Sequence, residues 1–134
     1  MIFLDTNILV YATVNQDIEK QKASENLIAE NIGGNLLISP LVLSEYIYVM
    51  TKLGIEVQYI RKSVDLFRKC VSYGIDAELV YSSFLLGQKL DMNKNINDLI
   101  HLKFADKYAK TIYTFDENFK RLIKHSSIDI KILK

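Results

Sequence analysis

Four carboxylates lie against apolar runs, where an uncompensated charge is costly. Asp5 closes Met1-Ile2-Phe3-Leu4. Glu45 sits inside Leu41-Val42-Leu43-Ser44-Glu45-Tyr46-Ile47. Asp98 opens Asp98-Leu99-Ile100-His101-Leu102, and Asp116 closes Thr111-Ile112-Tyr113-Thr114-Phe115. If the residues around Glu45 are helical, Leu41, Val42 and Val49 share its face, so the acid points at the core or its rim. Thr114 and Asp116, two apart on a strand edge, share a side. Four acids brought together raise one another's pKa, and burial adds to the effect. A hard divalent cation removes the conflict, and Mg²⁺ and Mn²⁺ prefer oxygen ligands. Cys70 is the only cysteine and there are two histidines, so Zn²⁺ fits poorly. A cation held by acids suits phosphoryl chemistry, because it polarises a phosphate oxygen and lowers the pKa of water. A carboxylate left free can orient that water. Each acid alone has a plainer reading: Asp5, Asp98 and Asp116 as helix caps, Glu45 as a rim residue paired with a lysine. All four in such surroundings argue for a site.

The elements that must position these acids can be read from the hydrophobic pattern. Met1 to Leu4 predicts a short buried strand, followed by a helix over 8–14 for which Thr6 and Asn7 are N-cap candidates. An amphipathic helix runs over 18–32 and stops at Gly33-Gly34. A strand at 36–39 leads to a helix with Pro40 in its first turn, ending at Gly54. Helices over 57–69 and 77–90 follow, with a short strand between them at 70–73 and a polar loop at 91–97 after them. The chain closes with a helix over 99–109, a strand at 112–115, a short helix at 117–124 and a strand at 128–133. Short apolar strands separated by helices predict an α/β fold with a mainly parallel sheet. Such sheets bind ligands outside the carboxyl ends of their strands, where Asp5 and Asp116 fall.

Composition narrows the class. The 134 residues, 49% hydrophobic and 25% charged, match one domain of an ordinary globular protein. The lone cysteine permits no intrachain disulfide and fits a reducing compartment. The apolar start lacks a basic segment and carries Asp5 and Asn7, unlike a signal peptide. No stretch is long and uncharged enough to span a membrane, so a cytoplasmic location is expected. Net charge is only +1, but it is unevenly spread: residues 1–50 sum to −4 and the remainder to +5. The basic excess between Lys103 and Lys134 can face a phosphate backbone, although a solvated lysine surface is the plainer account.

The acids also carry a family resemblance. Ile2-Phe3-Leu4-Asp5-Thr6-Asn7-Ile8-Leu9-Val10 resembles the opening of PIN-domain nucleases. Ser44-Glu45 resembles their second acid, and Asn97-Asp98-Leu99-Ile100, followed by Ala105 and Ala109, their third. Ile112-Tyr113-Thr114-Phe115-Asp116-Glu117-Asn118-Phe119 resembles their closing motif. The match runs in order over nearly the whole chain, as a single PIN-like nuclease domain over residues 1–134. The sequence departs from the family at Asn93-Lys94-Asn95-Ile96-Asn97, a turn that often bears glycine, and at Lys103-Phe104, where small residues are common. The length resembles that of the VapC-like ribonuclease toxins of prokaryotic toxin–antitoxin pairs. The resemblance implies a three-layer α/β/α fold and an endoribonuclease dependent on Mg²⁺ or Mn²⁺ that leaves 5′-phosphate and 3′-hydroxyl ends. It further implies an RNA substrate, an antitoxin protein that blocks the site, and a homodimer. By position, it makes Asp5, Glu45, Asp98 and Asp116 catalytic and metal-binding, with Asn7 and Thr114 as supporting polar residues.

Two rival functions stay open on the sequence. One is a non-catalytic PIN-like module that binds RNA or protein. The other is an aspartate-nucleophile phosphotransferase, disfavoured because Asn7 stands where a second aspartate is usual. His101, one turn from Asp98, can reach a phosphate or a metal-bound water, but the commoner role of such a histidine is at a rim. Asp91 is a further nearby acid whose spacing fits less well. The tyrosines, Tyr46, Tyr48 and Tyr81 among them, can stack on bases if exposed and are more usually core or dimer contacts. Arg61 and Arg68 share a helix face that reads as solvated.

Overall fold

The computed structural model describes all residues from Met1 to Lys134. Four parallel strands make its centre: β1 (Ile2–Leu4), β2 (Leu36–Leu37), β3 (Thr111–Thr114) and β4 (Asp129–Ile132), in the order β2-β1-β3-β4. The helices are α1 (Thr6–Thr13), α2 (Ile18–Asn31), α3 (Pro40–Lys52), α4 (Val57–Phe67), α5 (Ala77–Leu90) and α6 (Ile96–Tyr108). Together they give the α/β fold with a parallel sheet that the strand and helix pattern predicted, in the three-layer α/β/α arrangement that the resemblance implied.

Local chemistry sets most of the element ends. Ser39 caps α3, its hydroxyl accepting from the Val42 amide at 3.1 Å, with Pro40 in the first turn. Asp76 caps α5 by accepting from the Leu79 amide at 2.9 Å. Gly54 ends α3 with φ +77°, a backbone conformation costly for any residue with a Cβ.

Four expectations need correction. The helix after β1 starts at Thr6, because Asp5 itself is the cap and accepts from the Thr6 amide at 2.7 Å. The strand expected at 70–73 reduces to one bridge, Ile38 to Val71, since Arg68–Cys70 continues as a 3₁₀ turn. The polar loop before Asp98 is shorter than expected. A 3₁₀ turn at Asn93–Asn95 hands over to α6 at Ile96, so Asn97 and Asp98 both lie in its first turn. The segment Glu117–His125 is 3₁₀ rather than α.

The core is continuous across the sheet. Phe3 pairs in register with Leu37 on one side and Ile112 on the other, and all three are fully buried. Phe104 of α6 is fully buried with its ring 5.7 Å from that of Phe3. Helices α5 and α6 approach closely at Gly87, where an added Cβ would meet the side chain of Asn93 and, at 2.7 Å, Cδ1 of Leu99.

Strand order places the site. The chain leaves β1 towards β2 and leaves β3 towards β4, in opposite directions from two adjacent strands. The carboxyl ends of β1 and β3 therefore flank a topological switch point, the usual crevice for a ligand in an open α/β sheet.

Candidate metal centre

Asp5 and Asp116 follow the two strands at this switch point. Both also act as caps, Asp5 for α1 and Asp116 through the Asn118 amide at 2.9 Å. For these two acids the cap reading and the convergence are both present, whereas Asp98 lies inside the first turn of α6 and is not a cap. Glu45 reaches in from α3 and Asp98 from the first turn of α6. All four acids line one cleft of about 470 Å³, together with Thr6, Asn7, Tyr11, Gln16, Tyr48 and two valines. No lysine or arginine lines it.

Asp5 is held most tightly. Its Oδ1 accepts from the Thr6 amide, and its Oδ2 accepts from the Thr114 hydroxyl at 2.7 Å and Asn7 Nδ2 at 3.3 Å. Thr114 also accepts from the Asp116 amide at 2.9 Å, and Asn7 Oδ1 accepts from the Phe115 amide at 3.1 Å. Asn7 and Thr114 thus tie the end of β1 to the end of β3 through the carboxylate itself.

Glu45 has no lysine partner. Its Oε1 accepts from the Thr6 hydroxyl at 2.6 Å and lies 2.7 Å from His101 Nε2, while its Oε2 accepts from Asn97 Nδ2 at 3.1 Å. Reasoning from the sequence missed Thr6 and Asn97 as partners of Glu45, and it named His101 but favoured a rim position for it. Thr6 looked like a cap and Asn97 like part of a loop. His101 is buried to 1% exposure, not a rim residue. A signal existed, since helical phase puts His101 one turn from both Asn97 and Asp98. Asp91 is outside the cleft, ending α5 in a left-handed conformation. Tyr46 is core, its hydroxyl 2.9 Å from that of Thr13, whereas Tyr48 is 65% exposed on the cleft wall. Arg68 lies 3.5 Å from the exposed Asp65 on α4.

The electrostatics record crowding of negative charge. Burial, then the charge of Asp5, pushes Asp98 up to about 7, with Asp116 and Glu45 adding to the rise. Burial raises Asp5 as well, against the opposing influence of His101, Thr114 and the Thr6 amide. Burial alone would raise Glu45, but His101, Thr6 and Asn97 outweigh it and hold the carboxyl below its ordinary value. Burial favours neutral His101, yet Glu45, Asp5 and Asp98 together raise its pKa. The Asp98 side chain has neither an ion pair nor a hydrogen bond within the protein, and His101 alone opposes the rise in its pKa. Oxygen donors in excess of protein counter-charge fit a hard divalent cation.

An all-parallel sheet with an acidic cleft at its switch point defines an α/β protein with a candidate cation site. The family model for the PIN domain matches residues 2–124, and the chain belongs to the PIN domain family. Similar solved structures include VapBC2 from Rickettsia felis, bound to a DNA fragment from its promoter. It is 25% identical over all of both chains, with a TM-score of 0.68. Mycobacterium tuberculosis VapC20, a sarcin–ricin loop cleaving toxin, is 16% identical over 92% of this chain and 95% of its own, with a TM-score of 0.72. VapBC-5 of the same organism, from the VapBC family of toxin–antitoxin systems, is 18% identical over 98% and 97%, with a TM-score of 0.61. The last two likenesses bear on fold alone. Among curated proteins none matches significantly. No helix is long and apolar enough to cross a membrane.

Proposed function

We propose that this chain is a divalent-cation-dependent endoribonuclease, the toxin of a toxin–antitoxin pair, formed as one nuclease domain over residues 1–134. The observation that carries the reading is the convergence of Asp5, Glu45, Asp98 and Asp116, from four separate parts of the chain, on one cleft that no lysine or arginine lines. Membership of the PIN family and likeness to VapC proteins support the nuclease and toxin parts. They also support an antitoxin partner. A homodimer and a cytoplasmic location are further parts of the proposal.

Asp5, Glu45, Asp98 and Asp116 would hold Mg²⁺ or Mn²⁺. Once bound, the cation supplies Lewis acidity towards a phosphodiester oxygen and a lowered pKa for water. The chain's own residues divide the remaining work. Thr114 and Asn7 fix Asp5 in one orientation. Asp98, whose side chain has no hydrogen bond to the protein, would have an oxygen to spare beyond the one it offers the cation, and that oxygen would orient the attacking water. Tyr11 and Tyr48 offer aromatic faces on the cleft wall where an unpaired base can stack.

The test is cleavage of single-stranded RNA by the wild type and Asp5→Asn, with Mn²⁺, with Mg²⁺ and with chelator. Wild type is expected to cut only with metal. Asp5→Asn should lose at least a hundredfold in rate while keeping its circular dichroism spectrum. Full activity in the variant overturns the assignment. RNA held in chelator but never cut under any condition would favour the non-catalytic binding module instead.

A further inference from the structure

His101 is the one buried histidine. Its ring lies 5.9 Å from that of Phe3, and Nδ1 has no hydrogen-bond partner. Its Nε2 is 2.7 Å from Glu45 Oε1 and 3.8 Å from Asp5 Oδ1. One ligand-type atom from each of Asp5, Glu45 and His101 can be chosen so that all lie within 4.8 Å of one another. Two roles therefore compete for this imidazole: ligand to a cation, or hydrogen-bond donor to Glu45.

Hydrogen placement separates them. An ionised carboxylate only accepts, so a nitrogen 2.7 Å away must carry the hydrogen between them. Nδ1 faces no acceptor that would draw the proton to it. This assignment holds whether the imidazole is neutral or charged. A nitrogen bearing hydrogen has no lone pair for a metal. Thr6 brings a second donor to the same oxygen at 2.6 Å, so both donors converge on Oε1 while Oε2 receives only Asn97.

We propose that His101 is a positioning residue for Glu45. With Thr6 it holds Oε1, making Oε2 the atom Glu45 offers to a divalent cation, and the imidazole itself is not a ligand. The proposal rests on the cation-dependent reading above. It reflects a general feature of metal sites, in which the groups hydrogen-bonded to the ligands set their orientation. Without His101, a glutamate with three side-chain torsions regains rotamers that turn the carboxylate out of the cleft.

Mn²⁺ binding to metal-free protein, followed by the paramagnetic resonance signal of free Mn²⁺, tests this in wild type, His101→Ala, His101→Gln and Thr6→Val. Pulsed resonance of the bound ion reports on nitrogen coordination. In wild type, the bound Mn²⁺ is expected to lack the nitrogen coupling of a directly ligated imidazole. His101→Ala should bind Mn²⁺ roughly 10- to 100-fold more weakly. At saturating Mn²⁺ its kcat on RNA should fall with KM little changed. His101→Gln, which restores a donor near the position of Nε2, should recover most of both losses. Thr6→Val should weaken binding in the same direction, which keeps the test open if His101→Ala does not fold. Direct nitrogen coupling in wild type, or wild-type Mn²⁺ affinity in a folded His101→Ala, overturns the proposal. Absence of any Mn²⁺ binding to wild type is a separate result that removes the cation-dependent reading along with it.

Discussion

Thr114 is fully buried, and its hydroxyl serves three partners. It donates to Asp5 Oδ2 and accepts from the Asp116 amide and from Asn7 Nδ2. Valine has nearly the same shape but leaves the Asp116 amide without an acceptor and Asp5 without its shortest side-chain donor. Thr114→Val is therefore expected to cost about 1–3 kcal/mol of stability, the usual range for an unsatisfied buried group. It should also weaken Mn²⁺ binding roughly tenfold or more. Urea denaturation and Mn²⁺ titration measure the two effects. An unchanged midpoint would show that the hydroxyl does not organise the switch point.

At the scale of elements, the approach of α5 to α6 decides where Asp98 stands. Gly87 lets the turn at Asn93 and the side chain of Leu99 lie against α5. In Gly87→Ala, exposed Asn93 can swing away, but the Leu99 side chain is fully buried and its Cδ1 must find room within the core. Alanine gains about 1 kcal/mol of helix propensity over glycine, and overpacking of this kind costs about 1–3 kcal/mol. Net destabilisation of about 1 kcal/mol is expected. A larger loss of cleavage rate should accompany it, because Asp98 is the neighbour of Leu99. A variant more stable than wild type with full activity would show that the two helices need no glycine there. Gly87, six residues before Asn93, provides the close approach of α5 to the turn that leads into α6.

The whole molecule carries a cost of having built the cleft. Asp98 titrates near 7 in the folded chain against an ordinary 3.8, and Asp5 is shifted in the same direction. A raised carboxyl pKa means the folded state keeps a proton that the unfolded state has released. Stability of the metal-free protein should therefore fall as pH rises through the window from about 4 to about 7, then level off for Asp98. His101, also raised, adds a further fall that begins only near its ordinary value of 6.5 and continues above it. Glu45, lowered, works the other way only where pH drops towards its ordinary value of 4.5. A divalent cation binds the deprotonated acids and should reverse the trend. At about 100 times its Kd it adds about 2.7 kcal/mol, on the order of 10 °C in Tm for a chain of this length. Thermal melts across this pH range, in chelator and in Mn²⁺, read both effects. A Tm in chelator that rises with pH through the window would contradict the crowding of acids described above.

The sequence by itself determined most of the elements and the four acids they carry. Helix and strand periods, the Ser39-Pro40 start and the Gly54 stop are local, so they can be read without a fold. The same holds for four carboxylates beside apolar runs. It failed where pairing between elements decides the outcome. Val71 makes a single bridge because Ile38 alone meets it, and α6 begins early on a turn seated against Gly87. Only the tertiary structure decided how Glu45 is held. Its donors Thr6, Asn97 and His101 are separated from it by 39, 52 and 56 residues, and the sheet order β2-β1-β3-β4 and the packing of α3 near α6 bring them together. A hydrogen bond forms over about 3 Å of space whatever the distance along the chain. Local pattern can nominate such donors, but it cannot pair them.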